Sequence, residues 1–200
     1  MATFRRRSLT TRSFIARPTP DGYTGIYVHL DGTPASKLPL LLTAFQYRFG
    51  RNLTVMTRHL VDDVAVGWDE LGSDLLHGAP VQTVTLLTGG ELWPSRTLDH
   101  LITPDGSPPV RMTVTETTAA DMDLQWGYIL HPYGLEVVAV TEYERGPLVR
   151  WDTDPLSTIS DDPAHWAPGL PAPVADRRPT PAPTAPPPTA DGAPQRTARR

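Results

Sequence analysis

The sequence predicts an α+β domain in which a helical hairpin packs on one side of a mainly antiparallel sheet. Two strand-like segments come first, two amphipathic helical patterns follow, and several further strand-like segments complete the folded part. That order is typical of an α+β fold. We expect a flexible basic leader over residues 1–10, a single domain over residues 11–158, and a disordered Pro/Ala-rich tail over residues 159–200.

The first two strands are predicted to form neighbours in the sheet. Residues 12–17 and 25–29 have strand-like composition, and the linker between them contains P-T-P-D-G. Asp21 and Gly22 suit a chain reversal, because aspartate hydrogen-bonds to turn backbone and glycine accepts positive φ. A hairpin or a short loop reversal therefore joins the two segments.

The helical hairpin is predicted from apolar side chains at helical spacing. In the first helix Ser36 is the expected cap, Pro39 lies in the first turn and Gly50 ends the helix. In the second helix Asn52 is the expected cap and Gly67 the stop. The apolar positions are Leu38, Leu41, Leu42, Phe45 and Phe49 in the first helix, and Leu53, Met56, Leu60 and Val64 in the second.

The second half of the chain is predicted to contain mostly strands. Residues 111–117 alternate between polar and apolar types, and residues 125–130 and 135–141 flank the turn H-P-Y-G as a hairpin. An edge strand is expected over residues 148–151. Residues 81–87 favour a strand or a short buried segment, ended by the glycine pair that follows.

Composition excludes several classes of function. The formal net charge of -4 argues against a protein whose whole surface binds nucleic acid. The chain has no cysteine, which excludes disulfides, thiolate nucleophiles and cysteine-based zinc sites. No apolar run approaches the roughly 20 residues that a membrane-spanning helix needs. We therefore expect a cytoplasmic protein that has no membrane partner.

The proline-rich tail has two interpretations. It contains A-P-P-P and P-T-P-A-P, segments that favour the polyproline II conformation and that aromatic-lined grooves bind. The alternative is a solvated tail that binds nothing. Composition alone does not separate the two.

The N-terminal arginines offer a possible contact with nucleic acid. Arg5, Arg6, Arg7 and Arg12 have no acidic residue among them, so this end can meet phosphate groups or an acidic protein. Contacts of that kind give affinity without reading sequence. The alternative is a frayed leader whose charge is incidental.

One short motif brings ionisable groups, aromatic bulk and turn chemistry together. In Y-T-G-I-Y-V-H-L-D-G-T-P, Tyr27 and His29 share a strand face because side chains alternate with a period of two, and Asp31 and Gly32 form the following turn. We expect Tyr27, His29, Asp31 and Gly32 to form a binding surface. The alternatives are a purely structural turn, in which Asp31 caps local backbone, and a site of acid/base or metal chemistry.

Acid/base or metal chemistry requires groups from elsewhere in the chain. A histidine and a carboxylate can orient one another for proton transfer, but a metal needs further ligands such as His59, Asp62, Asp63 or His131. The sequence contains no phosphate-binding glycine loop, nucleophile elbow, zinc-protease motif or dinucleotide fingerprint. We predict no cofactor.

These segments resemble a group of small uncharacterised proteins encoded by bacteriophages, plasmids and actinobacterial genomes. The resemblance rests on T-R-S-F-I-A, on I-Y-V-H-L-D-G-T-P, which matches the group's I-Y-x-H-x-D-G-x-P, and on W-G-Y-I-L followed by G-L-E-V. It covers about residues 11–140. The chain departs from the group at Leu30, where tryptophan is common, and at Thr33, where an aromatic residue often follows. The resemblance implies a phage or mobile-element origin and no particular mechanism.

The sequence therefore favours a non-enzymatic protein-interaction module, with an accessory role in a phage or mobile element implied by the resemblance. Its expected partner is a protein. The first alternative is a small metal-dependent or acid/base hydrolase that uses His29 and Asp31. The second alternative is nucleic-acid association through the N-terminal arginines.

Overall fold

The computed structural model describes residues 11–101, 103–142, 144–163 and 166. Within this part the strands form one mixed sheet of eight strands, in the order β4-β3-β2-β1-β6-β7-β8, with β5 also paired to β2. The strands are β1 Ser13–Thr19, β2 Gly22–Val28, β3 Trp68–Glu70, β4 Arg96–Thr97, β5 Thr113–Thr115, β6 Trp126–His131, β7 Gly134–Ala139 and β8 Glu144–Arg150.

The antiparallel part of the sheet follows the sequence prediction. Strands β1 and β2 form the expected hairpin, with Thr19 opposite Gly22 across the turn that contains Asp21. Strands β6 and β7 form the second expected hairpin, closed by His131 opposite Gly134. Strand β8 pairs with β7 at the edge of the sheet, and begins earlier than the predicted residues 148–151.

Two parallel pairings make the sheet mixed. Strand β1 lies parallel to β6, and β2 lies parallel to β3 through the partners Val28 and Trp68. Pairings of this kind join segments that are distant in sequence, so local periodicity does not reveal them. The predicted α+β class is confirmed, and the sheet contains more parallel contact than the sequence indicated.

The helical hairpin lies between β2 and β3. Helix α1 spans Pro34–Thr43 and continues as a π-helical turn over Ala44–Arg48, and helix α2 spans Leu53–Thr57 and continues as a π-helical turn over Arg58–Asp62. Gly50 separates the two parts with a positive φ of 55°.

One of the two predicted helix caps is confirmed. Asn52 caps α2, since its side chain accepts a hydrogen bond from the Val55 amide at 3.1 Å. Ser36 does not cap α1, which begins at Pro34 after Thr33. Pro34 takes the first helical position because its fixed φ suits the helix and its missing N–H has no partner there. Pro39 consequently lies inside the helix and not in its first turn.

Helix α3 is the main correction to the predicted secondary structure. Residues 81–87 were expected to form a strand or a buried segment, but Val81–Thr88 forms an α-helix that has no buried residue. Pro80 precedes it, and Gly89 ends it in the left-handed region at φ 66°. These flanking residues favour a helix over these positions, although threonine and valine are more common in strands.

Three short 3-10 helices complete the described elements. They span Ser73–Leu76, Ala120–Met122 and Pro155–Thr158. The first leads into α3, the second precedes β6, and the third packs on α1.

The sheet is buried on both faces. Along β1, Ile15 belongs to a core that α1 and α2 cover, whereas Phe14 and Ala16 belong to a second core on the opposite face. The second core is completed by side chains from the segments after β4, around β5 and before β6. These side chains are Leu98, Val114, Ala119 and Leu124.

Arg111 joins the second layer to the end of the α2 segment. Its guanidinium donates to the carbonyl of Val61 at 2.6 Å and also to the carbonyl of Val64. A cation at the C-terminal end of a helix is favourable, because the unpaired carbonyls there carry partial negative charge.

The packed part of the chain extends beyond residue 158, where the sequence analysis placed the start of the tail. Asp161 accepts a hydrogen bond from the Ala35 amide at 2.7 Å, and Trp166 is only 5% exposed in the helix-covered core. Residues 1–10 and 167–200, which hold the predicted leader and most of the predicted tail, lie outside the described residues. Among the described helices, none has the length and apolar character to cross a membrane.

A substitution at Gly127 tests the packing of the second core. Gly127 lies opposite Phe14 on β1, and an added Cβ would overlap the Phe14 ring. We expect Gly127→Ala to lower the free energy of unfolding by about 1–3 kcal/mol in chemical denaturation. In a Phe14→Leu background the same substitution should cost clearly less. Equal costs in both backgrounds would contradict the proposed contact.

Candidate functional site

The predicted motif forms a small polar corner at the end of β2. The Tyr27 hydroxyl and His29 Nδ1 are 2.9 Å apart, which confirms that the two side chains share a face of the strand. Tyr27 is buried in the second core, and burial raises the pKa of its phenol, with Arg12 opposing the shift. Tyr27 therefore remains neutral near pH 7 and serves mainly to position the His29 ring.

The Asp31 and Gly32 turn anchors the β2 end to the beginning of β1. The Gly32 amide donates to the Thr11 carbonyl at 2.8 Å, and the buried Tyr128 hydroxyl donates to the Gly32 carbonyl at 2.8 Å. An added Cβ on Gly32 would lie 2.5 Å from the Thr11 carbonyl oxygen, so only glycine fits without rearrangement. Gly32 thus has a structural role in the turn.

Asp31 adopts the left-handed conformation with φ 54°, which aspartate tolerates better than most residues. Within the described part of the chain its carboxylate makes no hydrogen bond or ion pair. The partner of His29 is therefore Tyr27 and not Asp31. The expected acid/base pair of His29 and Asp31 has no direct contact to support it.

Two ion pairs flank this corner. Arg12 contacts Asp123 at 2.6 Å, and Arg96 contacts Asp69 at 3.0 Å. Asp69 directly follows Trp68, whose carbonyl accepts the His29 amide hydrogen bond. Arg96 also contacts the buried carboxylate of Glu70 at 3.2 Å, so its one positive charge is shared between two carboxylates.

The other residues suggested as metal ligands do not join this corner. Asp62 pairs with Arg17 and Asp63 with Arg58, at 3.3 and 3.0 Å. In the described residues, no group of three or more histidine and acidic side chains is arranged to hold a metal ion.

His59 has a structural environment. It lies between the rings of Phe49 and Trp68, with centroid distances of 5.5 and 6.1 Å. Burial, assisted by the charge of Arg48, lowers the pKa of His59. The neutral imidazole is therefore favoured beside these two rings.

The N-terminal arginines divide between the described and undescribed parts of the chain. Arg5, Arg6 and Arg7 lie outside the described residues. Arg12 is described, and its guanidinium pairs with the carboxylate of Asp123. The arm proposed to meet phosphate groups thus has only its last member in the structure.

A groove that the sequence analysis did not identify lies beside α3. It has a volume of about 540 Å³, within the range of ligand and peptide sites. Leu76, Val84, Leu92 and Trp93 form its apolar walls, and Arg48 is among its polar lining groups. It therefore combines apolar surface with a hydrogen-bond donor.

Opposite α3, the groove is lined by a loop that contains Trp93 and is held by hydrogen bonds. The Ser73 hydroxyl accepts a hydrogen bond from the Trp93 amide and donates one to the Trp93 carbonyl, both at 2.9 Å. The Asp74 carboxylate accepts hydrogen bonds from the Ser95 amide and the Ser95 hydroxyl, both at 2.6 Å. Arg48 donates to the Asp74 carbonyl at 2.6 Å. These bonds tie the loop to the 3-10 helix Ser73–Leu76 and to Arg48 on that side of the groove.

Exposed apolar side chains lie on α3 and in the loop that follows it. Val81 is 80% exposed, Leu86 57% and Leu92 73%. Only Val84 and Leu87 of the helix rest against the core. No Asp, Glu, Lys or Arg occurs between Asp74 and Glu91, although a fifth of the chain is charged. That uncharged stretch was the sequence signal for this surface.

A buried charged network is the second feature that the sequence analysis missed. Glu136 is fully buried, and its carboxylate accepts hydrogen bonds from Arg145 at 2.7 and 2.9 Å and contacts His131 Nε2 at 2.6 Å. Burial raises the pKa of Glu136, but the bonds from His131 and Arg145 together outweigh it and the net shift is downward. The network joins β6, β7 and β8, and its polar groups are occupied by one another.

Comparison with known proteins leaves function to be argued from the structure. No family model matches the chain, and neither the curated proteins nor the solved structures include a significant match. The function of the groove and of the exposed face of α3 therefore has to be inferred from the residues that form them.

Substitutions at Gly32 and Asp31 test whether these two residues have a structural role in the turn. We expect Gly32→Ala to lower the free energy of unfolding by about 1–3 kcal/mol, because its Cβ meets Thr11. Asp31→Gly should stay within about 1 kcal/mol of the wild type, since glycine accepts the positive φ. Thermal or urea denaturation measures both. A large loss of stability in Asp31→Gly would show that the carboxylate itself holds the turn.

The buried network predicts an acid-dependent loss of stability. Because the pKa of Glu136 is lowered by folding, its ionised form stabilises the protein above its ordinary pKa of 4.5, and this contribution disappears as the pH falls through the folded pKa. Glu136→Gln should cost about 2–3 kcal/mol at pH 7 and flatten the acid limb of stability against pH.

Glu116→Gln is the matched control for Glu136→Gln. Glu116 lies 3.9 Å from the same Arg145 but is half exposed, so the control should change stability by less than about 0.5 kcal/mol. Equal effects of the two substitutions, measured by urea denaturation between pH 3 and pH 7, would contradict a structural role for the buried carboxylate.

Proposed function

We propose that the protein is a non-enzymatic interaction module that binds a partner protein through the groove and the exposed face of α3. We call these together the α3 surface, defined by Leu76, Val81, Val84, Leu86, Leu92 and Trp93. The observation that carries the proposal is that α3 buries none of its own residues yet is rich in valine and leucine. A helix that contributes so little to the core has apolar side chains available for another molecule.

The chemistry of the α3 surface indicates the kind of partner. The helix α3 itself carries no charge, so a charged partner segment would lose water against it without gaining counter-charges. A partner segment with small or medium apolar side chains and hydrogen-bond acceptors fits better, because Arg48 supplies donors in the groove. The partner is therefore expected to contribute an uncharged, apolar segment.

The preformed groove favours binding over catalysis. Its loop wall is held by the bonds among Ser73, Asp74, Trp93 and Ser95, so little entropy is lost in ordering that wall when a partner binds. His77 lines the groove, but no described hydrogen bond joins its ring to the Asp74 carboxylate. A nucleophile oriented by a base is not among the described contacts of the groove.

The resemblance of the N-terminal motif to phage, plasmid and actinobacterial proteins supports an accessory role in a mobile element as part of this proposal. The corner at His29 and Asp31 is a second surface on the same molecule, at the end of β2. Its buried members Tyr27 and Gly32 stabilise the turn, so only His29 and Asp31 remain for contact with a partner.

Charge substitutions on the α3 surface test the proposal. Leu86→Glu and Leu92→Glu place a charge on exposed positions, so both should fold normally and both should lose a partner captured by the wild type, by about tenfold or more in affinity. Circular dichroism checks the fold, and binding to the purified partner measures the loss. Capture from host lysate serves only to find the partner.

Val110→Glu is the matched control, since Val110 is 81% exposed and belongs to no described groove. It should keep the partner. His29→Ala combined with Asp31→Ala tests the second surface in the same assay. Loss of the partner in that double variant, with retention in Leu86→Glu and Leu92→Glu, would move the binding surface to the β2 corner and overturn the proposal.

A further inference from the structure

The groove beside α3 contains one pair of opposite charges, Arg48 and Asp74. Both residues line the groove, and 28% and 35% of their side chains are exposed. Arg48 Nη1 and Asp74 Oδ2 lie 3.9 Å apart, and no hydrogen bond joins the guanidinium to the carboxylate. An ion beside this pair would be attracted by one charge and repelled by the other. An uncharged group with a strong dipole therefore fits the pair better than an ion of either sign.

Both charged groups are held in place by the protein and still have hydrogen-bonding capacity left. Asp74 Oδ1 accepts the two hydrogen bonds from Ser95, whereas no described hydrogen bond ends at Oδ2. Arg48 donates from Nη1 to the Asp74 carbonyl at 2.6 Å and lies 5.7 Å from the centre of the Phe49 ring. A guanidinium has several further N–H donors. The groove thus offers an acceptor and donors side by side.

The backbone of an extended peptide has the matching arrangement. A residue in an extended chain directs its own N–H and C=O to the same side, as in the hydrogen-bonded pairs of antiparallel strands. Arg48 can donate to that carbonyl while Asp74 Oδ2 accepts from that amide. A helical segment cannot bind in this way, since its amides and carbonyls are bonded to one another within the helix.

The apolar lining of the groove suits the side chains of the same segment. Successive side chains of an extended chain point to opposite sides, so one can contact Val84 on α3 while the next contacts Leu92 or Trp93 in the loop. The backbone amide and carbonyl of Leu92 take part in no described hydrogen bond, so the loop can bond to further backbone groups of the segment. A peptide uses both kinds of lining, whereas a small polar amide would use only the pair of charges.

We propose that Arg48 and Asp74 bind the backbone of one residue in an extended, uncharged segment of the partner protein. Arg48 donates to the carbonyl of that residue, and Asp74 Oδ2 accepts from its amide. This inference rests on the proposed function, because it names the kind of segment that the groove of the α3 surface binds and the two groups that select it. A proline at that position is rejected, since it has no N–H for Asp74.

Replacing amides by esters in a bound peptide tests for backbone recognition. Peptides are selected on the full chain from a displayed random library and synthesised with blocked termini. Each amide in turn is then replaced by an ester, which removes the N–H and keeps a carbonyl. We expect the selected peptides to be uncharged at their centre, and one ester position to weaken binding about tenfold or more in isothermal titration calorimetry.

Asp74→Asn tests the protein side of the same hydrogen bond. Its amide oxygen can still accept from Ser95, while an NH₂ group replaces Oδ2. The variant should bind the all-amide peptide about tenfold more weakly, and the sensitive ester should then have little further effect. Asp63→Asn is the matched control and should bind as the wild type does, because Asp63 also pairs with an arginine but does not line this groove. If Asp74→Asn lowers thermal stability, the ester scan on the wild type decides.

Three results would overturn the inference. The first is an ester scan without a sensitive position, together with equal affinities of Asp74→Asn and Asp63→Asn. The second is a selected peptide that binds as a helix, shown by the carbon chemical shifts of the labelled peptide in the complex. The third is a selection that yields no peptide able to distinguish the wild type from Leu92→Glu. The proposed function fails separately, if Leu86→Glu and Leu92→Glu keep the purified partner.

Discussion

The rest of the structure depends on the burial of β1 on both faces. Alternate residues of this strand enter opposite cores, Ile15 on the helical side and Phe14 and Ala16 on the other. A sheet with two apolar faces cannot be stable with one covering layer, because the uncovered face would remain in water. The helical hairpin and the long segment around β5 are the two covers that this strand requires. The polar corner at His29 exists where the second cover meets the end of β2.

The sequence predicted the elements that local patterns determine. The β1–β2 hairpin, the helical hairpin with Asn52 as a cap, and the β6–β7 hairpin all have turn residues and spacing that act within a few positions. The parallel pairings of β1 with β6 and of β2 with β3 were not predicted, since they depend on packing between distant segments. Residues 81–87 favour a strand or a short buried segment by composition, because Val81 and its β-branched neighbours are common in strands, whereas the structure has an exposed helix there.

The candidate site was predicted only in part, and for a similar reason. The shared face of Tyr27 and His29 follows from strand periodicity, and the structure confirms their contact. The groove beside α3 and the carboxylate of Glu136 were not predicted, because each is assembled from separate parts of the chain. The uncharged stretch after Asp74 was visible in the sequence, but an apolar stretch has the same composition whether it is buried or exposed. Only the three-dimensional arrangement separates the two cases.

Helix α3 contributes to a surface while the cores are built from other elements. Substitutions at its exposed positions leave the packing of β1 and of the helical hairpin unchanged, so they encounter little resistance from folding stability. The sequence of this helix can therefore diverge quickly among descendants while the domain stays the same. A domain organised in this way can change one of its faces by a few substitutions on one helix, without first evolving a new fold.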